Sequence, residues 1–276
     1  MELRCVFRAG RVVEQTMPYA QLTPEHQSFL AENCRLCLKK PSDGYSIAAE
    51  DLLHLHTAEA YIEKIMPLIK APNQLVTASQ FSKRYAFLMV APFFSSFSLL
   101  NRVLDIQPNN CVVEAKQSDG HFLPELSLLS LEAKQVNKDR KIEMESGLEQ
   151  LFRNHISVIW GNLAKTSNVP FPVLWENTAT YIYWLYETTF AKHAEGELKA
   201  TIAEDFQNIL DAPGECFGLK YNPFKKYYFE KQPLIKSDPG IRVRKTCCLY
   251  YEISPDRTFC KNCPRCLSGY VPQPTE

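Results

Sequence analysis

The sequence predicts an α+β fold that is mostly helical: a helical body, a small antiparallel β-hairpin or sheet, and a loop-rich C-terminal segment. Three observations carry this. Apolar residues recur at helical spacing through most of the first two thirds of the chain. Two short apolar runs flank a Ser-Asp-Gly turn near residues 110–131. The last thirty residues turn to prolines, aromatics, basic residues and clustered cysteines, too short and loop-rich to build a core of their own. The boundaries are 1–240 for the body and 241–276 for the tail, which packs on it.

Helix signals come in order. Thr23-Pro24 reads as an N-cap and first-turn proline opening a helix to about Arg35. A second helix starts at Thr57 and is kinked or ended by Pro67. Thr77 or Ser79 opens a long apolar helix that Pro92 should bend. From Asp139 to Leu163, Leu148, Leu151, Phe152, Ile156, Ile159, Trp160 and Leu163 form one stripe, and His155 on it reads as a hydrogen-bonded core residue. The segment PVLWENTATYIYWLYETTF is apolar nearly all round, so a central buried helix with Trp175 and Trp184 as core aromatics is expected. Glu197 to about Leu210 forms a further helix, and Ile241-Arg242-Val243-Arg244 alternates like a short strand.

Composition excludes several functions. The 276 residues are 45% hydrophobic and 22% charged, an ordinary globular balance. Lys plus Arg equal Asp plus Glu at 31 each, so nothing suggests nucleic-acid binding. The first residues lack a signal-peptide apolar core, which points to a cytoplasmic protein. The apolar run Tyr85 to Leu100 is shorter than the roughly 20 residues of a membrane span and contains Pro92, so a buried helix is expected. No membrane span is predicted, and peripheral membrane association stays open.

Ten cysteines without a secretion signal point to metal or redox work. Four stand within seventeen positions: Cys247, Cys248, Cys260 and Cys263. A C-x2-C turn puts two sulfurs on one metal. Vicinal Cys247 and Cys248 point to opposite sides of an extended backbone, awkward for one tetrahedral zinc and easier for a cluster with two irons. Spacing therefore favours iron–sulfur over structural zinc. Cys266 extends the run as a bystander or spare ligand. Cys34 and Cys37 read as ordinary thiols at a helix end; Cys5, Cys111 and Cys216 read as packing residues.

RVRKTCCLYYEI…CKNCP resembles the C-terminal signature of the FhuF-like ferric-siderophore reductases, a Cys-Cys pair followed by C-x2-C. LWENTATYIYWLYE is similar to that family's Trp-x-Asn aromatic helix. YAFLMVAPFFSSFSLL…LDIQPNN and Asn222-Pro223-Phe224 fit two further elements, so the likeness runs from about Tyr85 to Cys263. It implies a 2Fe–2S cluster on four cysteines and one-electron reduction of Fe(III) in an imported siderophore, of hydroxamate or citrate type, releasing Fe(II). The body would then be siderophore-binding. The gap between Cys248 and Cys260 is one residue longer than the family pattern, leaving Cys260/Cys263 and Cys263/Cys266 as alternatives for the last two ligands.

Arg242, Arg244 and Lys245 lead directly into the ligands, with Lys225, Lys226 and Lys261 nearby. They could dock an anionic ferric complex or simply form a solvated basic face. Tyr221, Phe224, Tyr227 and Tyr228 read as packing the tail onto the helices. No G-x-G-x-x-G or P-loop occurs, so electrons are expected from a separate donor such as a ferredoxin or flavodoxin. Two other functions fit the same thiols: a zinc-stabilised binding protein, and an iron–sulfur electron carrier or regulator without a siderophore site.

Overall fold

A computed structural model describes residues 20–38, 45–118, 121–137, 139–193, 195–233 and 240–265. The expected turn residues Asp119 and Gly120, and Cys5 and Cys266, lie outside the described residues. The helices are α1 (Pro24–Cys34), α2 (Leu55–Ile69), α3 (Gln74–Leu100), α4 (Arg140–Leu148), α5 (Ser157–Ser167), α6 (Phe171–Trp184), α7 (Gly196–Asp211) and α8 (Pro223–Lys226). The mostly helical α+β class expected from the sequence is the one observed.

α3 is the axis, packed by α1, α2, α5, α6 and α7. It starts earlier than expected. Asn73 caps it, accepting from the Val76 N–H at 3.0 Å, while the Thr77 hydroxyl donates to the Asn73 carbonyl instead of capping. The helix runs through Pro92 to Leu100. α2 begins two residues before Thr57 and keeps Pro67 in its last turn. The helical run after Asp139 is continuous, but from Glu149 to Ile156 it widens into a π-helix between α4 and α5. Every residue of the expected apolar stripe is fully buried there.

His155, on the π segment, is buried and neutral. The Tyr85 hydroxyl donates to its Nε2 at 2.5 Å, and its Nδ1 donates to the Ile106 carbonyl at 3.0 Å. Burial pushes its pKa down to about 4, against the opposing pull of the Ile106 carbonyl. The unfolded chain therefore takes up a proton near pH 6.5 that the folded protein refuses until about pH 4. Stability present above pH 6.5 is lost as pH falls through that window, by about 3 kcal/mol in total. Urea unfolding at pH 7 and pH 4.5 should show this loss, and His155→Gln should remove most of the difference. An unchanged slope in the variant would refute it.

The strands are β1 (Ala20–Gln21), β2 (Leu36–Cys37), β3 (Ile47–Ala48), β4 (Arg102–Leu104), β5 (Cys111–Glu114), β6 (Gln117–Ser118), β7 (His121–Phe122), β8 (Glu125–Leu128) and β9 (Glu132–Gln135). The expected hairpin exists: β5 pairs antiparallel with β8, Val113 opposite Leu126, and β6 and β7 extend it. It sits in a four-stranded sheet, β2-β8-β5-β3, whose β2–β8 pair is parallel. A second sheet, β1-β9-β4, was not foreseen. Strands of two to four residues carry too little alternation to be read from sequence.

The expected strand at Ile241-Arg242-Val243-Arg244 is not formed. Ile241 makes one antiparallel bridge to Gln232, after which the backbone donors go elsewhere. The Arg244 N–H bonds the Asn262 carbonyl, and those of Lys245 and Thr246 bond the Glu176 carboxylate.

Candidate metal centre

Two helices that should be apolar throughout carry a buried polar stripe where they meet: Ser79, Gln80 and Ser82 on α3, Glu176 and Asn177 on α6. Such groups must find partners. Asn177 Nδ2 donates to the Ser79 carbonyl (3.1 Å) and the Ser82 hydroxyl (2.9 Å). Ser79 Oγ (2.8 Å) and Gln80 Nε2 (2.6 Å) both donate to the Cys248 carbonyl. Glu176 accepts from the N–H groups of Lys245 and Thr246, each at 2.7 Å, and from the Thr246 hydroxyl. The Arg244 guanidinium lies 3.6 Å from the same carboxylate, with both side chains buried. The body thus grips the tail on both sides of Cys247.

The four candidate thiols meet in two pairs. Cys247 Sγ lies 4.0 Å from Cys263 Sγ, and Cys248 Sγ lies 3.7 Å from Cys260 Sγ. Cys248 and Cys263 are buried, Cys247 and Cys260 partly so. Leu249 takes a left-handed conformation (φ 62°) and turns its N–H onto Cys247 Sγ at 3.4 Å. The Cys263 N–H closes the C-x2-C turn on the Cys260 carbonyl. Lys83 Nζ stands 3.9 Å from Cys248 Sγ. A hydrogen bond from the Cys260 thiol, reinforced by Lys83 and Arg244, brings Cys248 down to about 5, whereas Cys260 is raised by that same bond and by burial. Cys247 is raised, chiefly by burial.

Two thiolates on one tetrahedral metal, with bonds of roughly 2.3 Å, stand about 3.8 Å apart. Both pairs have that spacing, and the vicinal cysteines go to different partners. N–H and cationic groups already face the sulfurs, which suits an anionic cluster. The donor set therefore fits a two-iron centre.

The model of the ferric iron reductase FhuF-like transporter family matches residues 79–234, more than half of the chain. The chain belongs to this family. The FhuF 2Fe-2S C-terminal domain matches residues 244–265, so the cofactor is a 2Fe–2S cluster. No curated protein matches the chain. For this FhuF-like protein an iron–sulfur role of the ferric iron reductase type follows. Among the described residues no helix is long and apolar enough to cross a membrane.

A cleft of about 580 Å³ opens beside Cys260, within the usual range of small-molecule sites. Of the three basic residues that lead directly into the cysteines, Arg244 lines it. Arg242 is ion-paired with Glu187 and lies over the Tyr228 ring at 4.0 Å; Lys245 lies over Phe229 at 4.6 Å. Trp175 is core, packed against Phe152 and Phe224. Trp184, expected in the core, is 42% exposed and forms part of the cleft wall. Cys34 is buried, donates to Ser95 Oγ and is raised to about 11 by burial, an inert thiol. Sequence reasoning missed Ser79, Gln80, Lys83 and Glu176. Their signal was polar residues inside otherwise apolar helices.

Proposed function

We propose that the protein is a cytoplasmic ferric-siderophore reductase whose cluster is held by Cys247 and Cys263 on one iron and Cys248 and Cys260 on the other. The cluster, when bound, supplies a single low-potential electron. Fe(III) in the docked complex takes up that electron and becomes Fe(II). Hard oxygen donors hold Fe(II) far less well, so they release it and pick up protons from solvent. The electron is replaced by a separate one-electron carrier of ferredoxin or flavodoxin type.

The observation that carries this reading is the cleft wall containing Cys260 itself. A complex seated there lies against Cys260, one of the proposed ligands. Ser79, Gln80 and Glu176 hold the ligand loop against α3 and α6, and Lys83 and Arg244 offset negative charge on Cys248. The 241–276 segment is on this reading the redox unit, and the helical body supplies the cleft.

Protein reduced anaerobically with one equivalent of dithionite should be reoxidised by a ferric siderophore, with Fe(II) captured by a chromogenic chelator. Reoxidation no faster than electron loss to solvent would sink the reading. In the same assay Cys260→Ser should be devoid of cluster and rate, and Cys266→Ser should retain both. The reverse result would move the ligand set to Cys263/Cys266.

A further inference from the structure

The cleft beside Cys260 is walled by four cations, Arg35, Lys83, Arg84 and Arg244, and among the described residues no carboxylate lines it. Lys83 and Arg244 have a task there, since both act on Cys248 and Cys260. Arg35 and Arg84 have other contacts. Arg84 is largely buried, and its guanidinium donates to two neutral carbonyls, those of Phe122 (2.7 Å) and Gln80 (2.8 Å). Arg35 lies over the Phe87 ring at 5.1 Å. Among the described residues neither forms an ion pair. Burial disfavours the charged form of Arg84 most, Tyr181 favours it, and the like charge of Arg35 opposes it. Two repelling cations kept in a partly desolvated wall cost stability, and an anion between them relieves that cost.

Aromatic rings share the lining with these cations: Phe87, Tyr181, Trp184 and Tyr250, with Lys83 over the Tyr250 ring at 5.3 Å. Flat or ring-bearing ligand groups stack on such walls while their anionic oxygens meet the arginines.

Resting on the reductase reading above, we propose that this cleft selects ferric complexes of net negative charge. Their ligands are catecholates or α-hydroxycarboxylates, which leave the complex anionic around Fe(III). Three hydroxamates leave it neutral, and an added ammonium makes it cationic. Arg35 and Arg84 are the selecting residues. Lys83 and Arg244 serve both the complex and the cluster.

Gallium(III) complexes test this without electron transfer, because Ga(III) copies the charge and shape of Fe(III) and is not reduced. The cluster-loaded protein is titrated with three probes, a Ga(III) tris-catecholate, a Ga(III) citrate–hydroxamate and a Ga(III) trihydroxamate bearing an ammonium, followed by tryptophan fluorescence. The expected result is that an anionic probe binds at least tenfold tighter than the cationic one and weakens as salt rises. Which of the two anionic probes binds tighter identifies the ligand class. Arg35→Gln and Arg84→Gln should each weaken the anionic probe about tenfold and leave the cationic one unchanged. Arg35→Gln keeps the test valid if Arg84→Gln fails to fold. Equal or tighter binding of the cationic probe, or anionic binding indifferent to both variants, would overturn the proposal. Ferric complexes of every charge reoxidising the reduced protein alike would do so too, yet leave the reductase reading standing. If none reoxidised it, the reductase reading itself would fall.

Discussion

Cys248→Ser is expected to abolish the visible chromophore outright. Its sulfur sits 3.7 Å from Cys260, its carbonyl is clamped by Ser79 and Gln80, and its thiol is already drawn to about 5. A serine hydroxyl has neither the softness nor the acidity to replace that thiolate. Cys247→Ser should behave alike, because Cys263 would lose the partner 4.0 Å away. Cys34→Ser should keep a normal spectrum, since that thiol is buried on Ser95. Absorbance and EPR of anaerobic protein, before and after dithionite, decide the matter. A normal spectrum in either tail variant would refute the proposed ligand set.

The second large effect is expected at Glu176, which no titration of the cluster would reveal. Glu176→Gln keeps the shape of the side chain and removes its charge. Arg244, only 5% exposed, would then lose the carboxylate it is paired with. Breaking a buried pair in this way costs about 3–5 kcal/mol, and the bonds from Lys245, Thr246 and the Thr246 hydroxyl would weaken with it. The penalty should fall on the tail. We expect iron per chain to drop several-fold while far-ultraviolet circular dichroism stays close to wild type. Full iron content with an unchanged denaturation midpoint would show that this carboxylate holds nothing.

Much of this was legible in the sequence because it rests on local rules. The stripe from Leu148 to Leu163, the Thr23 cap and the β5–β8 hairpin follow from periodicity and turn chemistry, and all formed. The vicinal cysteines pointed to a binuclear centre because neighbouring side chains diverge. What stayed hidden depends on distant partners. Nothing near Glu176 in sequence says that its carboxylate meets backbone seventy residues on. The π segment, the β1-β9-β4 sheet and the start of α3 likewise follow from tertiary contacts or from a cap one turn upstream. The cationic wall escaped notice because Arg35, Lys83, Arg84 and Arg244 come from three separate stretches of chain, whereas the basic run beside the cysteines drew attention by proximity alone.

The grip of α3 and α6 on the tail also bears on how the holoprotein is made. Residues 240–265 add little to the apolar core: Ile253 packs on its edge, and the fully buried apolar positions are the thiols Cys248 and Cys263. What ties the tail down is a short run of hydrogen bonds, the ion pairs Arg242–Glu187 and Arg244–Glu176, and the stacking of Arg242 on Tyr228, polar contacts that could open together and leave the helices in place. A chain fresh from synthesis can therefore complete its body first, with the clamp residues already in position. On that basis cluster loading would call for ordering of this segment alone, with the body left as it is.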